Sequence, residues 1–104
     1  MITTYVEDDS AFPWIEKDPS AVLDYGNNFA AWLAKVADTI LTSTWTVPAG
    51  ITKDVPQASS HAAGITTVWL SGGTAGSNYD VVNTITTVGG RVEERTFTIR
   101  VRQR

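Results

Sequence analysis

The chain has 104 residues, 42% of them hydrophobic, which suffices for one packed domain and is too apolar for intrinsic disorder. It contains no cysteine, so disulfide bonds and metal sites with thiolate ligands are excluded. The net charge of −3 is unevenly spread, with acidic residues concentrated in the first quarter and arginines near the C-terminus. The sequence predicts neither a signal peptide nor a membrane span, because its apolar runs are short.

Residues 1–17 are predicted to form an extended N-terminal arm, because prolines interrupt the region and no helix or strand period runs through it. Tyr5, Phe12 and Trp14 make the arm more apolar than a solvated linker. We therefore expect it to lie on a surface, which is either the chain's own domain or a neighbouring subunit.

The folded domain is predicted to span residues 18–104 and to begin with a strand that places Leu23 and Tyr25 on one face. The next segment, residues 29–36, fits two interpretations. Its apolar residues are spaced i, i+3, i+4, i+7, as on one face of a helix. So short a helix would be marginal, however, and the neighbouring segments resemble strands, so we favour a strand followed by a turn.

Residues 39–47 are rich in threonine and aliphatic residues and alternate as a strand does, up to a Pro-Ala-Gly turn. Trp45 and Val47 are the expected centre of the core, opposite Val68 and Leu70. Small polar residues at 56–64 predict a surface loop.

A glycine-rich corner is predicted after the apolar strand that contains Val68. Gly72, Gly73 and Gly76 follow one another closely, and Tyr79 stands shortly after them. This is the pattern of a tyrosine corner, in which the phenol bonds back to the backbone of the preceding connection in an immunoglobulin-like sandwich. Glycine suits the corner because it adopts positive φ and lets the ring lie against the backbone.

The last third of the chain predicts a hairpin, in which paired glycines at Gly89 and Gly90 indicate a tight primed turn. Asn83 interrupts the apolar face of the first strand, so its amide is either buried and bonded or displaced by a bulge. In the second strand Phe97 and Ile99 point inward. The predicted fold class is all-β, an immunoglobulin-like β-sandwich of about six to seven antiparallel strands with an extended N-terminal arm.

The sequence offers little for catalysis or cofactor binding. His61 is the one histidine and lies among serines and alanines, so a Ser-His-Asp arrangement has no evident third member. The corner glycines lack the Lys-Ser/Thr of a phosphate-binding loop, and the pair Asp8 and Asp9 lacks the spacing of a calcium loop. We predict no enzymatic activity, no cofactor and no metal.

Aromatic and arginine side chains instead indicate protein–protein contacts. Four tryptophans are many for 104 residues, and tryptophan is enriched at interface anchors. Trp32 and Trp69 fit equally well against the outer faces of the sandwich itself. Because the chain is acidic overall, its C-terminal arginines fit an acidic protein partner better than nucleic acid. The predicted interface residues are Tyr5, Phe12, Trp14, Trp32, Trp69, Arg100 and Arg102.

Three stretches in order carry a resemblance to a known family. They begin at Lys17-Asp18-Pro19-Ser20-Ala21-Val22 and continue with Ser43-Thr44-Trp45-Thr46-Val47-Pro48 and Val68-Trp69-Leu70-Ser71-Gly72-Gly73-Thr74-Ala75-Gly76. Over residues 17–102 the chain resembles small bacteriophage virion proteins described as fiber-tail adaptors. The resemblance implies a structural role without enzymatic activity or cofactor, and it leaves residues 1–16 outside.

The leading interpretation is a non-enzymatic phage structural or adaptor protein that links tail, neck or fiber components in multiple copies. The expected partners are other phage virion proteins and further copies of the chain, with no nucleic acid and no membrane. The expected location is the virion, after synthesis in the cytoplasm of the bacterial host. A capsid decoration protein is the alternative of the same class, and a carbohydrate-binding sandwich module is the alternative of another class.

Overall fold

The computed structural model describes residues 5–7 and 14–103. Most of these residues belong to strands, and a single short helix crosses one end of the molecule. In chain order the elements are β1 (Tyr5–Glu7), β2 (Trp14–Lys17), β3 (Leu23–Asn28), α1 (Ala30–Val36), β4 (Ile40–Thr46), β5 (Ile51–Lys53), β6 (Ser60–Ala62), β7 (Ile65–Gly72), β8 (Asn78–Thr87) and β9 (Val92–Val101).

Two sheets pack face to face as a sandwich. Sheet A has the order β1-β3-β7-β5, with β6 also paired to β7, and sheet B has the order β2-β9-β8-β4. The all-β sandwich predicted from the sequence is confirmed. The order β3-β7-β5 against β4-β8-β9 is the order B-E-D against C-F-G of an immunoglobulin-like sandwich, which supports the finer interpretation.

The number and direction of the strands differ from the prediction. Nine strands are present among the described residues, and β1 and β2 pair in parallel with β3 and β9. The additional strands are short and lack a run of alternating residues, so their pairing with distant strands leaves no local signal in the sequence.

The main hydrophobic cluster lies between the two sheets and is built from alternate residues of the strands. Trp45 meets Phe97 edge-on, with ring centroids 5.9 Å apart, and Tyr25 stacks on the same ring at 6.2 Å. Most of the predicted core is confirmed, since Trp45, Val68, Leu70, Phe97 and Ile99 are buried here together with Val81, whereas Val47 is only partly buried and packs against the cluster.

The favoured strand at residues 29–36 is wrong, because Ala30–Val36 forms helix α1. Asn28 Oδ1 accepts the Ala30 N–H at 2.9 Å, and Ala37 ends the helix in the left-handed conformation with φ of 52°. The apolar face buries Phe29 and Leu33 against Ile85 in a second, smaller cluster. Tertiary burial therefore stabilises a helix that would be marginal in isolation.

Asn83 follows the first of its two predicted alternatives, since its amide is fully buried and bonded. Its Oδ1 accepts hydrogen bonds from Thr66 Oγ1 at 2.6 Å and Asn27 Nδ2 at 3.1 Å, both from sheet A. Its Nδ2 donates to Ser43 Oγ and the Thr44 carbonyl, each at 3.0 Å. One amide thereby joins the two sheets.

The β8–β9 hairpin is present, but its turn is longer than the predicted primed turn. The Thr87 N–H donates to the Arg91 carbonyl at 2.8 Å, and only Gly90 of the two glycines has a positive φ, of 91°. A tight I′ turn needs positive φ at both central residues, so the register instead places a four-residue connection between the strands.

The described parts of the predicted arm lie along the sandwich. Tyr5–Glu7 pairs with β3 and Trp14–Lys17 pairs with β9. Phe12 lies outside the described residues. The division of the chain into an arm, 1–17, and a domain, 18–104, stays a prediction.

Candidate partner-binding surfaces

The tyrosine corner closes one end of the sandwich as the sequence predicts. The Thr74 N–H donates to Tyr79 Oη at 2.9 Å, and Gly73 N–H donates to the Gly50 carbonyl at the same distance. A Cβ on Gly50 would approach the Tyr79 ring to 3.1 Å. Glycine is needed at this position because the ring lies directly against the backbone.

Lys17 attaches the N-terminal strand β2 to the corner. Its side chain is fully buried, and Nζ donates to the Gly72 carbonyl at 2.7 Å and the Asp18 carbonyl at 2.9 Å. Burial lowers the pKa of Lys17, because the ammonium loses water, while the Asp18 carboxylate opposes this change. No sequence pattern indicated this contact, since an isolated lysine in an arm is usually solvated.

The two sheets are aligned so that the sandwich has two unlike lateral sides. Tyr25 of β3 packs on Phe97 of β9, and Thr66 of β7 bonds Asn83 of β8. The edge strands β1 and β2 therefore lie along one side, which we call the N-terminal side. Strands β4, β5 and β6 lie along the opposite side, which we call the β4 side, and β4 contacts β6 there.

The N-terminal side brings together several of the predicted interface residues. In the register of β2 and β9, Trp14 lies beside Thr98 and Glu16 beside Arg100. Arg102 follows β9 directly and donates from its guanidinium to the Val101 carbonyl at 2.8 Å. Tyr5 belongs to β1, on the edge of the other sheet. The acidic neighbour expected for Arg100 is therefore present within the chain itself.

The other two predicted tryptophans lie elsewhere. Trp32 is half-buried on helix α1 and packs against the second cluster. Trp69 is half-buried between Val68 and Leu70 along β7, so it points to the outer face of sheet A. Its indole Nε1 is shielded from water and finds no acceptor among the described residues. They belong to α1 and β7, whereas Trp14 belongs to the edge strand β2 of sheet B.

A pocket on the β4 side was not predicted. It has a volume of about 320 Å³ and opens between α1, the start of β4 and the β6–β7 turn. Its walls are mostly apolar, and His61 lies at its rim. The residues that form it come from three separate parts of the chain, namely Ala30, Leu33, Ala34, Asp38, Thr39, Ile40, His61, Ala63 and Gly64. No single stretch of sequence could have indicated it.

Asp38 joins the pocket to the β8–β9 hairpin. Its carboxylate accepts hydrogen bonds from the Gly89 N–H at 3.0 Å and Arg91 Nη1 at 2.9 Å. The pKa of Asp38 lies well below its usual range, mainly because its carboxylate accepts a hydrogen bond from the Thr87 hydroxyl. Hydrogen bonds from the Thr39 and Gly89 N–H groups lower it further. The hairpin tip is therefore fixed to the α1–β4 connection.

The described part of the chain contains neither a metal-binding cluster nor a membrane-spanning helix. No group of three or more His, Asp or Glu side chains within it could hold a metal ion. None of its helices is long and apolar enough to cross a membrane.

The fold and its surfaces define a small two-sheet β-sandwich with a charged N-terminal side and an uncharged strand on the opposite edge. Residues 17–100 match the family described as podophage GP4 fiber-tail adaptor protein gp77. The match covers most of the chain, so the protein belongs to this family of phage structural proteins, and the resemblance seen in the sequence is confirmed. No curated protein matches the chain.

Proposed function

We propose that the protein is a non-enzymatic adaptor of a bacteriophage virion, present in several copies, that links tail, neck or fiber components. The family match over residues 17–100 carries this proposal. The partners would be other virion proteins and further copies of the chain, with no nucleic acid and no membrane involved. The protein would be made in the host cytoplasm and then incorporated into the particle.

The N-terminal side is the proposed contact between neighbouring copies or with the next protein in the particle. Trp14 belongs to the edge strand β2, Arg100 belongs to the adjacent strand β9, which Arg102 follows, and Tyr5 begins the strand on the edge of the other sheet. Phe12, from the connection between these strands, is proposed as a further anchor. A contact between unlike surfaces of this kind is what arranges identical subunits in a closed ring.

Trp32 and Trp69 are proposed as contacts of a second kind, apart from the N-terminal side. Both side chains are half-buried and so retain surface for a partner. A tryptophan that is already held in place by its own domain loses little conformational freedom on binding, which makes it a suitable anchor.

Cryo-EM of the intact particle, compared with particles made without the protein, tests the proposed function. We expect density for several copies between tail and fiber proteins, and we expect particles without the protein to lack fibers. Particles that carry a full set of fibers in its absence would overturn the adaptor role. Density on the capsid surface would instead favour a decoration protein.

A charge reversal tests the proposed contact at the N-terminal side. In the Arg100→Glu, Arg102→Glu protein we expect slower incorporation, with the largest difference at low salt, because rim charges act mainly on association rate. Lys35→Glu, which reverses an exposed charge on α1, is the matched control. Equal incorporation rates for all three proteins at low salt would show that these arginines contribute nothing to assembly.

A further inference from the structure

Strand β4 is an edge whose only protection against pairing with another chain, among the described residues, is a bulge at its beginning. Its seven residues, Ile40–Thr46, include no charged side chain, and among the described residues it pairs with β8 alone. Leu41, which the bulge leaves without a register partner in β8, is 58% exposed. Proteins commonly guard such edges with lysine, proline or a bulge.

Most of the other lateral strands differ from β4 in this respect, although β6, with three residues, is also uncharged. Each of the strands β1, β2 and β5 carries at least one charged residue, and each is shorter than β4. The one irregularity in β4 is a bulge between Ile40 and Thr42, at its beginning. From Thr42 to Thr46 the register with β8 is unbroken, so this part of the strand can accept a further strand.

The pocket lies beside the beginning of this edge, since Ile40 belongs to both. Leu33 and the alanines of α1 supply apolar walls. Asp38 is the acidic group at the rim, and Arg91 already pairs with it at 2.9 Å while the carboxylate is almost fully covered. The pocket therefore offers apolar contact to a ligand and no available charge.

We propose that β4 pairs with an extended, uncharged segment of another virion protein, and that one apolar side chain of that segment occupies the pocket. In this mode of recognition the main chain supplies hydrogen bonds and the pocket supplies specificity. The segment is uncharged because a charged one would lose water against Leu41 and find no opposite charge along β4. The inference rests on the proposed adaptor function.

The local environment also favours a single strand over a broad globular surface. Val88 and Val92 are 65% and 68% exposed, and they lie near β4 on the hairpin that Asp38 holds in place. One added strand along β4 would run towards Leu41 and the pocket, on the side where β6 also contacts β4. Since a strand and a pocket bury less than a standard interface, this contact would act together with the N-terminal side.

Two substitutions with a matched control test the proposal in particle assembly. Thr42→Lys adds a charge to the exposed edge, and Ala34→Phe fills the pocket from the exposed side of α1. Thr96→Lys adds the same charge to the outer face of sheet B, on the interior strand β9. We expect roughly tenfold lower incorporation for the first two at limiting concentration and no change for the control, as loss of one anchor predicts. Incorporation of both variants at the level of the control would overturn the proposal.

Cryo-EM of the particle supplies a second measurement that does not depend on the variants folding. Density for a strand of a different protein along residues 42–46, with a side chain in the pocket, is the expected result. A solvent-exposed β4, or a second copy of the chain seated on it, would overturn the inference while leaving the adaptor role intact. Absence of the protein from the particle would instead overturn the proposed function itself.

Discussion

The two hydrophobic clusters of the sandwich are built in different ways, and a pair of buried amides separates them. Along β3 the inward residues are Tyr25 and Asn27, followed by Phe29, and along β8 they are Val81, Asn83 and Ile85. In both strands an inward-facing asparagine stands between apolar inward-facing residues, and the two asparagines lie at the same height in the sandwich. The larger cluster has strands on both sides, whereas the smaller one is closed by helix α1.

The smaller cluster also depends on a charged residue. Arg95 lies over the Phe29 ring with its guanidinium carbon 4.3 Å from the centroid, and its Nη1 donates to the Asn28 carbonyl at 2.8 Å. A cation held over an aromatic face can cover apolar surface and remain partly hydrated. A charged residue in an alternating strand therefore does not have to lie beyond the hydrophobic core. Its side chain can cover the margin of the core.

The largest effect is expected in the strand-built cluster. Trp45→Ala should lower the free energy of unfolding by about 3–5 kcal/mol, since a buried aromatic leaves a cavity that the sheets cannot close. Chemical denaturation measures the change, with Trp69→Ala as the half-buried control that should cost less. A loss below about 1 kcal/mol for Trp45→Ala would place this side chain outside the core.

A smaller effect is expected in the helix-closed cluster. Leu33→Ala should cost about 2–3 kcal/mol, near the lower end for a buried leucine, because the adjoining pocket lets water or the helix fill part of the space. The same denaturation series gives the value. If Leu33→Ala cost as much as Trp45→Ala, the two clusters would be equally closed and the comparison would fail.

The boundary between the clusters should be next in size. Asn83→Ala removes a hydrogen-bond partner from both Asn27 and Thr66, and an unsatisfied buried group costs about 1–3 kcal/mol. Thr86→Ala, on the outer face of the same strand, is the control and should change stability little. Equal values for the two substitutions would mean that the buried groups find other partners.

The sequence predicted the strand-built cluster well because burial there follows a period of two. Asn83 was recognised as an interruption, but its partners Asn27 and Thr66 lie far away in the sequence and could not be named. Helix α1 was missed because its caps, Phe29 and Ala37, are not helix-capping signals and its stability comes from packing.

The partner-binding surfaces were harder to predict than the core. The sequence indicated apolar arm residues and C-terminal arginines, and the register of β2 and β9 brings Trp14 close to Arg100. Which strand forms an edge depends on pairing across the whole chain. The uncharged run of residues in β4 therefore did not by itself indicate a binding surface. The same holds for the pocket, whose walls meet only after folding.

Acid should weaken the hairpin attachment beside the smaller cluster. Because hydrogen bonds hold the pKa of Asp38 below that of an unfolded aspartate, its contribution is complete above about pH 4 and is lost as the pH falls toward the folded value. Stability measured from about pH 5 down to pH 2 should therefore fall less in Asp38→Asn than in the natural protein. Asp80→Asn, on the outer face of β8, is the control, and identical profiles for all three proteins would contradict the role of Asp38.

The parallel pairing of β2 with β9 has a mechanical consequence. A pull on the chain immediately before Trp14 and after Val101 runs along both strands in opposite directions. The bonds between them are evenly spaced and lie across the pull, so they share the load in shear instead of opening one after another. Lys17 adds its bond to Gly72 at the far end of the same strand. A load applied to these two strands would therefore meet their pairing in shear, the direction in which the bonds act together.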